Sequence, residues 1–265
     1  MPGVLSRAIS GRAAEADVPD VVRDTWPPFE GDLPDVQGEV YLLNGCLMRT
    51  MFPSVHEATR RVLRRAGFEA REVSGCCGAL HAHCGLADEA RSRGEGLARG
   101  MPDDLPIIVN SAGCGSHMKD RGDARVKDVS EFLVSVGFDE VVRKAPGLEM
   151  TATYHDACHL AHGQKLVLPP RQLLEAVPGL TLVPLKESDL CCGSGGIYNL
   201  TQPEMARQLL NRKWANIEAT EAEVVILGNP GCHAWVAQAA RESGGRVRVM
   251  HTVEVLEAAF SGVPR

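Results

Sequence analysis

Gly75-Cys76-Cys77-Gly78 and Leu190-Cys191-Cys192-Gly193 are one short stretch written twice, and the residues around them repeat in the same order. Cys46 precedes the first pair and Cys114 follows it; Cys158 and Cys232 hold the same places around the second. Gaps of 29 and 36 residues in the first set become 32 and 39 in the second, so order is kept while spacing drifts. Ser111-Ala112-Gly113-Cys114 answers Asn229-Pro230-Gly231-Cys232. Each follows an apolar run, Ile107-Ile108-Val109 in one case and Val225-Ile226-Leu227 in the other. An internal duplication that takes up eight of nine cysteines has to be recognised before any single residue is interpreted.

Around the pairs, each cysteine falls in the same kind of place. Val40-Tyr41-Leu42-Leu43 reads as a buried strand that runs into Cys46. Ser54 and Glu57 suggest a capping box for a helix with Val55, Ala58, Val62, Leu63 and Ala66 on one side and Gly67 as its stop. A strand over 69–73 leads to the first pair, a weaker helix follows over 87–99, and the Ile107 strand ends near Cys114. The second half repeats this with strands at 152–155, 180–185 and 224–227, a last strand at 247–250, and a helix at 171–176. Thr201 and Glu204 suggest another capping box, before a helix with Met205, Leu209, Leu210, Trp214 and Ile217 on one side. Alternating strands and helices predict an α/β fold of two pseudo-repeated units with largely parallel sheets. The expected units are 39–145 and 146–265, with 1–38 as a tail or linker. Loops at the carboxyl ends of parallel strands meet in a crevice, so four thiols per unit are expected to converge there.

The bulk numbers exclude several classes. A formal charge of −6 with pI near 5.9 offers no basic stripe for nucleic acid. No apolar run approaches the roughly 20 residues that span a bilayer, and no secretory leader is visible. The expectation is a cytoplasmic protein, peripheral on the inner face of the membrane if it meets one. Nine cysteines in a reducing compartment serve metals or redox chemistry more often than disulfides.

Four converging thiolates are soft ligands for an iron–sulfur cluster, zinc or copper(I). Structural zinc usually draws ligands from close C-x₂-C pairs. Here the ligands are dispersed and include adjacent cysteines, which suits a polynuclear centre more than one small ion. Zinc in one of the two sets stays open. The flanking glycines let backbone N–H groups approach sulfur.

These residues carry a family resemblance. Leu43–Cys46, Gly75–Leu80, Ser111–Gly115, Tyr154–Ala161, Leu190–Leu200, Asn229–Cys232 and His251–Leu256 resemble the cysteine-rich CCG-domain proteins. That family includes the CCG-bearing subunit of heterodisulfide reductase, the C-terminal part of the glycolate oxidase iron–sulfur subunit, and lactate utilisation protein A. The resemblance implies an iron–sulfur electron-transfer subunit of a flavin-dependent 2-hydroxy-acid (glycolate or lactate) dehydrogenase. It implies one cluster per motif, expected as [4Fe–4S]. The ligands would be Cys46, Cys76, Cys77 and Cys114, and Cys158, Cys191, Cys192 and Cys232. The implied partners are a flavin-containing dehydrogenase subunit and a separate ferredoxin-like protein, because no C-x₂-C-x₂-C run occurs here. A thiol–disulfide reductase subunit and a zinc-stapled scaffold are the alternatives. The family's motif ends in C-x-x-C, where this chain has Ser111 and Asn229 at the first position.

Cys84 has no counterpart in the second half and reads as a spare thiol. His81, His83, His155 and His159 lie near the cysteines and read as loop hydrogen-bonding groups rather than ligands. Gly193-Ser194-Gly195-Gly196 lacks the Lys-Ser/Thr of a phosphate loop. Arg60, Arg61, Arg64 and Arg65 read as a solvated basic face that could dock an acidic partner. Asp156 beside His155 has no evident nucleophile.

Overall fold

A computed structural model describes residues 33–262. Of the expected tail, residues 1–32 lie outside the described residues, and Gly38 already begins the first strand. The strands are β1 (Gly38–Gly45), β2 (Phe68–Gly75), β3 (Ile107–Val109), β4 (Val126–Asp128), β5 (Met150–Tyr154), β6 (Leu180–Val183), β7 (Val224–Leu227) and β8 (Arg248–His251). They form two four-stranded sheets in the orders β2-β1-β3-β4 and β6-β5-β7-β8, and every pairing is parallel. The two orders are identical, so the repeat seen in the cysteines is a repeat of topology.

The inner strands show why these runs form strands. Val40–Leu43, Ile107–Val109 and Val224–Leu227 are buried throughout, as parallel strands covered on both faces must be. The edge strands β2 and β6 are half-exposed and carry polar residues between apolar ones. In each sheet the chain leaves the first inner strand for one edge and returns on the other side. The switch points therefore lie between β1 and β3 and between β5 and β7, which is where such sheets open a crevice.

One apolar cluster spans both sheets. It takes Val40 and Leu42 from β1, Ala152 and Tyr154 from β5, Val62 and Leu63 from the Pro53–Arg65 helix, and Val253 and Leu256 from the Thr252–Ser261 helix. The two helices also meet through charge. Arg61 Nε donates to Glu257 Oε1 at 2.7 Å and Arg65 Nε to Glu257 Oε2 at 3.0 Å. Both guanidinium groups are buried, and Glu257 is 0% exposed. The basic run is thus not a solvated face: two of its four arginines point inward, to a carboxylate late in the same chain. Among the described residues no helix is long and apolar enough to cross a membrane.

Other local expectations change too. Neither expected capping box forms. Both helices begin on a proline, Pro53 and Pro203, whose fixed φ suits the first helical position. Ser54 instead donates to Glu254 and Glu57 pairs with Arg60, while Thr201 donates to the Ile197 carbonyl. The capping boxes that do form are Asp128 with Glu131 and His251 with Glu254. Met205 is 48% exposed, and the buried side of its helix is made by Ala206, Leu210, Lys213, Trp214 and Ile217. Strand β6 stops at Val183, so a loop separates it from Cys191.

Candidate metal centres

Cys46 opens the Cys46–Met51 helix directly after β1, and its Sγ lies 4.0 Å from Cys76 Sγ. Cys76 and Cys77 follow β2 at once. Cys114 stands in the first turn of the Ala112–Asp120 helix, which starts after β3, and Cys77 hydrogen-bonds to it. A Cβ placed on Gly45 would stand 3.9 Å from Cys114 Sγ, so this sulfur reaches back to the start of the set. In the second half Cys158 donates a hydrogen bond to Cys191, and Cys192 donates to both Cys191 and Cys232, the last in the first turn of the Pro230–Glu242 helix. Cys46 with Cys114, and Cys158 with Cys232, thus flank the two switch points. Cys84 lies at the end of the Ala79–His83 helix, where its N–H bonds to the Leu80 and His81 carbonyls.

The glycine after each pair has a specific task. Gly78 and Gly193 have φ of +90° and +93°. A Cβ there would lie 2.4 Å from the Ala90 carbonyl oxygen in one half and 2.5 Å from that of Ala206 in the other. Only glycine lets the paired cysteines turn back while the loop rests on the following helix. Gly78→Ala and Gly193→Ala are each expected to lower the melting temperature, measured by calorimetry. The left-handed conformation alone costs a residue with a Cβ about 1–2 kcal/mol, before the carbonyl clash is relieved. A variant as stable as the parent would show that the loop is free to lift from the helix.

Protons are shared in the same pattern in both sets. Cys76 is pulled down to about 6, chiefly by the hydrogen bond from Cys46, whose own thiol is pushed up. Cys114 is lowered by the bond from Cys77, and Cys77 is raised. Cys191 and Cys232 are lowered likewise, by Cys158 and Cys192, which are raised. Four sulfurs this close cannot all ionise without a cation, so each set retains thiol protons that a metal would displace. Soft donors, partial burial and N–H groups aimed at sulfur fit a thiolate-bound metal group. Gly193 N donates to Cys191 Sγ at 3.3 Å, Asn229 Nδ2 lies 3.5 Å from Cys232 Sγ, and Ser111 bonds to Cys114. The residues in the places of a fifth cysteine thus serve sulfur as donors. The Gly193–Gly196 loop likewise turns N–H groups toward Cys191.

The histidines divide. His155 is fully buried at the end of β5. Its Nδ1 must carry a proton to meet the Ser188 carbonyl at 3.1 Å, which leaves Nε2 turned toward the sulfurs. The donor atoms of His155, Cys192 and Cys232 lie within 4.8 Å of one another. His81 accepts from Arg93 at 3.0 Å, and the His83 ring stacks on His159 at 5.1 Å, a contact between the halves. The helices that carry the last cysteines also touch at their starts: Ala112 N donates to the Gly228 carbonyl and Gly113 N to Asn229 Oδ1, both at 3.0 Å. Asp156 is taken up by Arg171 through two bonds of 2.6 Å. Sequence reasoning misses Lys213, which is fully buried with Nζ on the Glu187 and Ser188 carbonyls, because nothing in a helical pattern marks a lysine as buried.

Comparison with known proteins agrees with the geometry. The chain is 33% identical over 271 residues to the probable glycolate oxidase iron-sulfur subunit of Bacillus subtilis, covering 92% of this chain and 61% of that protein. It is 34% identical over 248 residues to the glycolate oxidase iron-sulfur subunit of Escherichia coli, covering 83% and 58%. The chain thus spans about three-fifths of the length of these two curated relatives. Lactate utilization protein A of Geobacillus thermodenitrificans is 31% identical over 239 residues, with 82% of this chain and 98% of that protein covered. The family described as a cysteine-rich domain, CCG, matches residues 40–119 and 152–237. Two matches, each centred on one four-thiol set, make the chain a member of the CCG cysteine-rich domain family.

Proposed function

We propose that the chain is an electron-carrying iron–sulfur subunit with one centre in each of the expected units, 39–145 and 146–265. The ligands are Cys46, Cys76, Cys77 and Cys114 in the first and Cys158, Cys191, Cys192 and Cys232 in the second. The supporting observation is the convergence of four proton-sharing thiols, built twice on the same topology. When bound, such a cluster supplies one-electron chemistry. The chain's own residues provide thiolates, keep water from the buried sulfurs, and aim N–H groups at them. Four thiolates match an ordinary [4Fe–4S] cluster, one per iron.

Two relatives are named iron-sulfur subunits of glycolate oxidase and a third a lactate utilization protein, which supports a place in a complex acting on glycolate or lactate; a flavin-containing dehydrogenase subunit is the partner this reading assigns. A ferredoxin-like protein on another chain, and a location in the cytoplasm or on the inner face of the membrane, complete this reading. Anaerobically purified protein is expected to be brown and to contain iron and acid-labile sulfide. It should oxidise neither glycolate nor lactate until a flavin subunit is added. A colourless, folded, zinc-loaded protein from iron-supplied anaerobic expression would reject the proposal; zinc in one set and iron in the other would confine it to one centre.

A further inference from the structure

The two thiol sets stand on one frame, so residues near one have counterparts near the other, and three counterparts differ in the same direction. Gly78 meets the Ala90 carbonyl as Gly193 meets that of Ala206, which aligns the Ala87–Ala98 helix with Pro203–Glu218. Seven residues beyond those alanines stand Leu97 and Lys213. Leu97 is buried in the apolar cluster that holds Cys77. Lys213 is 0% exposed, with Nζ on the carbonyls of Glu187 and Ser188. Burial lowers its pKa, and Cys192, the counterpart of Cys77, stands first among the groups that oppose that shift and hold the charge. Three residues before the first cysteine of each set, Leu43 is matched by His155. Two residues after each pair, Ala79 is matched by Ser194, whose Oγ lies 3.8 Å from Cys232 Sγ and 3.5 Å from Cys192 Sγ.

The first set is therefore lined at these positions by leucine, alanine and leucine, and the second by imidazole, hydroxyl and ammonium. Two opposing features are weaker. Arg93 and His81 act on Cys76, but Arg93 is only half-buried and water screens its field. Asp156 brings a negative charge near the second set, but Arg171 neutralises it. Reduction adds negative charge, so a buried cation and donors to sulfur favour the reduced state. His155 acts in that sense either as a neutral ligand through Nε2 or, doubly protonated, as a donor from it.

We propose that the centre held by Cys158, Cys191, Cys192 and Cys232 has the higher reduction potential of the two, set by Lys213, His155 and Ser194. One electron given up by a reductant to this pair then resides in the second half of the chain. This rests on the two-centre reading above.

The test is a dithionite titration of the iron-loaded full chain, followed by EPR at fixed potentials. Two steps are expected. Cys192→Ala removes the upper step and Cys77→Ala the lower one. Lys213→Met shifts the upper step down by at least about tenfold in its reduction equilibrium, which is about 59 mV for one electron, and leaves the lower step in place. Ser194→Ala, which installs the first set's own residue with little change in volume, shifts the same step down by less. A single step for both sets, an upper step lost in Cys77→Ala, or an upper step unmoved in both Lys213→Met and Ser194→Ala overturns the proposal. A chain that takes up no iron overturns the two-centre reading and this proposal with it, and metal analysis alone distinguishes that outcome.

Discussion

Cys77→Ala and Cys192→Ala are each expected to remove about half of the bound iron, because each takes one thiolate from one four-ligand set and leaves the other set whole. Both side chains are buried. Each bonds to the last cysteine of its set, Cys114 or Cys232, so its loss also deprives that sulfur of a neighbour. Cys84→Ser is the control and is expected to keep the full iron content. Iron and sulfide per chain, measured under anaerobic conditions, check all three. Equal iron loss in the three variants would show that the eight-cysteine assignment is wrong.

Replacing Glu257 is expected to have the largest effect on stability. Glu257→Ala removes the carboxylate that two buried guanidinium groups share, and breaking a buried ion pair in this way typically costs about 3–5 kcal/mol. Glu257→Gln keeps an acceptor but not the charge and is expected to fall between the two. Urea unfolding of the three proteins measures the differences. A Glu257→Ala protein within about 1 kcal/mol of the parent, the range of an exposed pair, would mean that water reaches these arginines.

What is legible in the sequence is whatever short stretches determine. Strand runs such as Val40–Leu43 and Val224–Leu227 are apolar because parallel strands are covered on both sides, and that pattern needs no distant partner to be read. The two sheets of one topology follow from the repeated order of strand, cysteine and helix. The failures have a different physical origin. Ser54 and Glu57 have capping-box spacing, but Pro53 between Phe52 and Ser54 sets where the helix starts. The short strand β4 and the two helices after it carry too little periodicity to stand out. Arg61 and Arg65 resemble solvated arginines until the helix bearing Glu257 is placed against them. Lys213 and His155 look like an ordinary helix lysine and a loop histidine, because burial depends on which face of an element the fold covers. The thiol positions are readable because each cysteine or pair comes after a strand at its carboxyl end, directly or through a short loop or helix start; what surrounds them is not.

The contact between Arg65 and Glu257 has a consequence during synthesis. The two residues are 192 positions apart. At about 5–20 residues per second, roughly 10–40 s pass between the emergence of the arginines and that of their carboxylate. Throughout that interval the first sheet lacks the last helix against which its own helix packs. The order of completion therefore runs against the order of translation: the segment made later closes the unit made earlier, and until then the first set of thiols stands on an unfinished support.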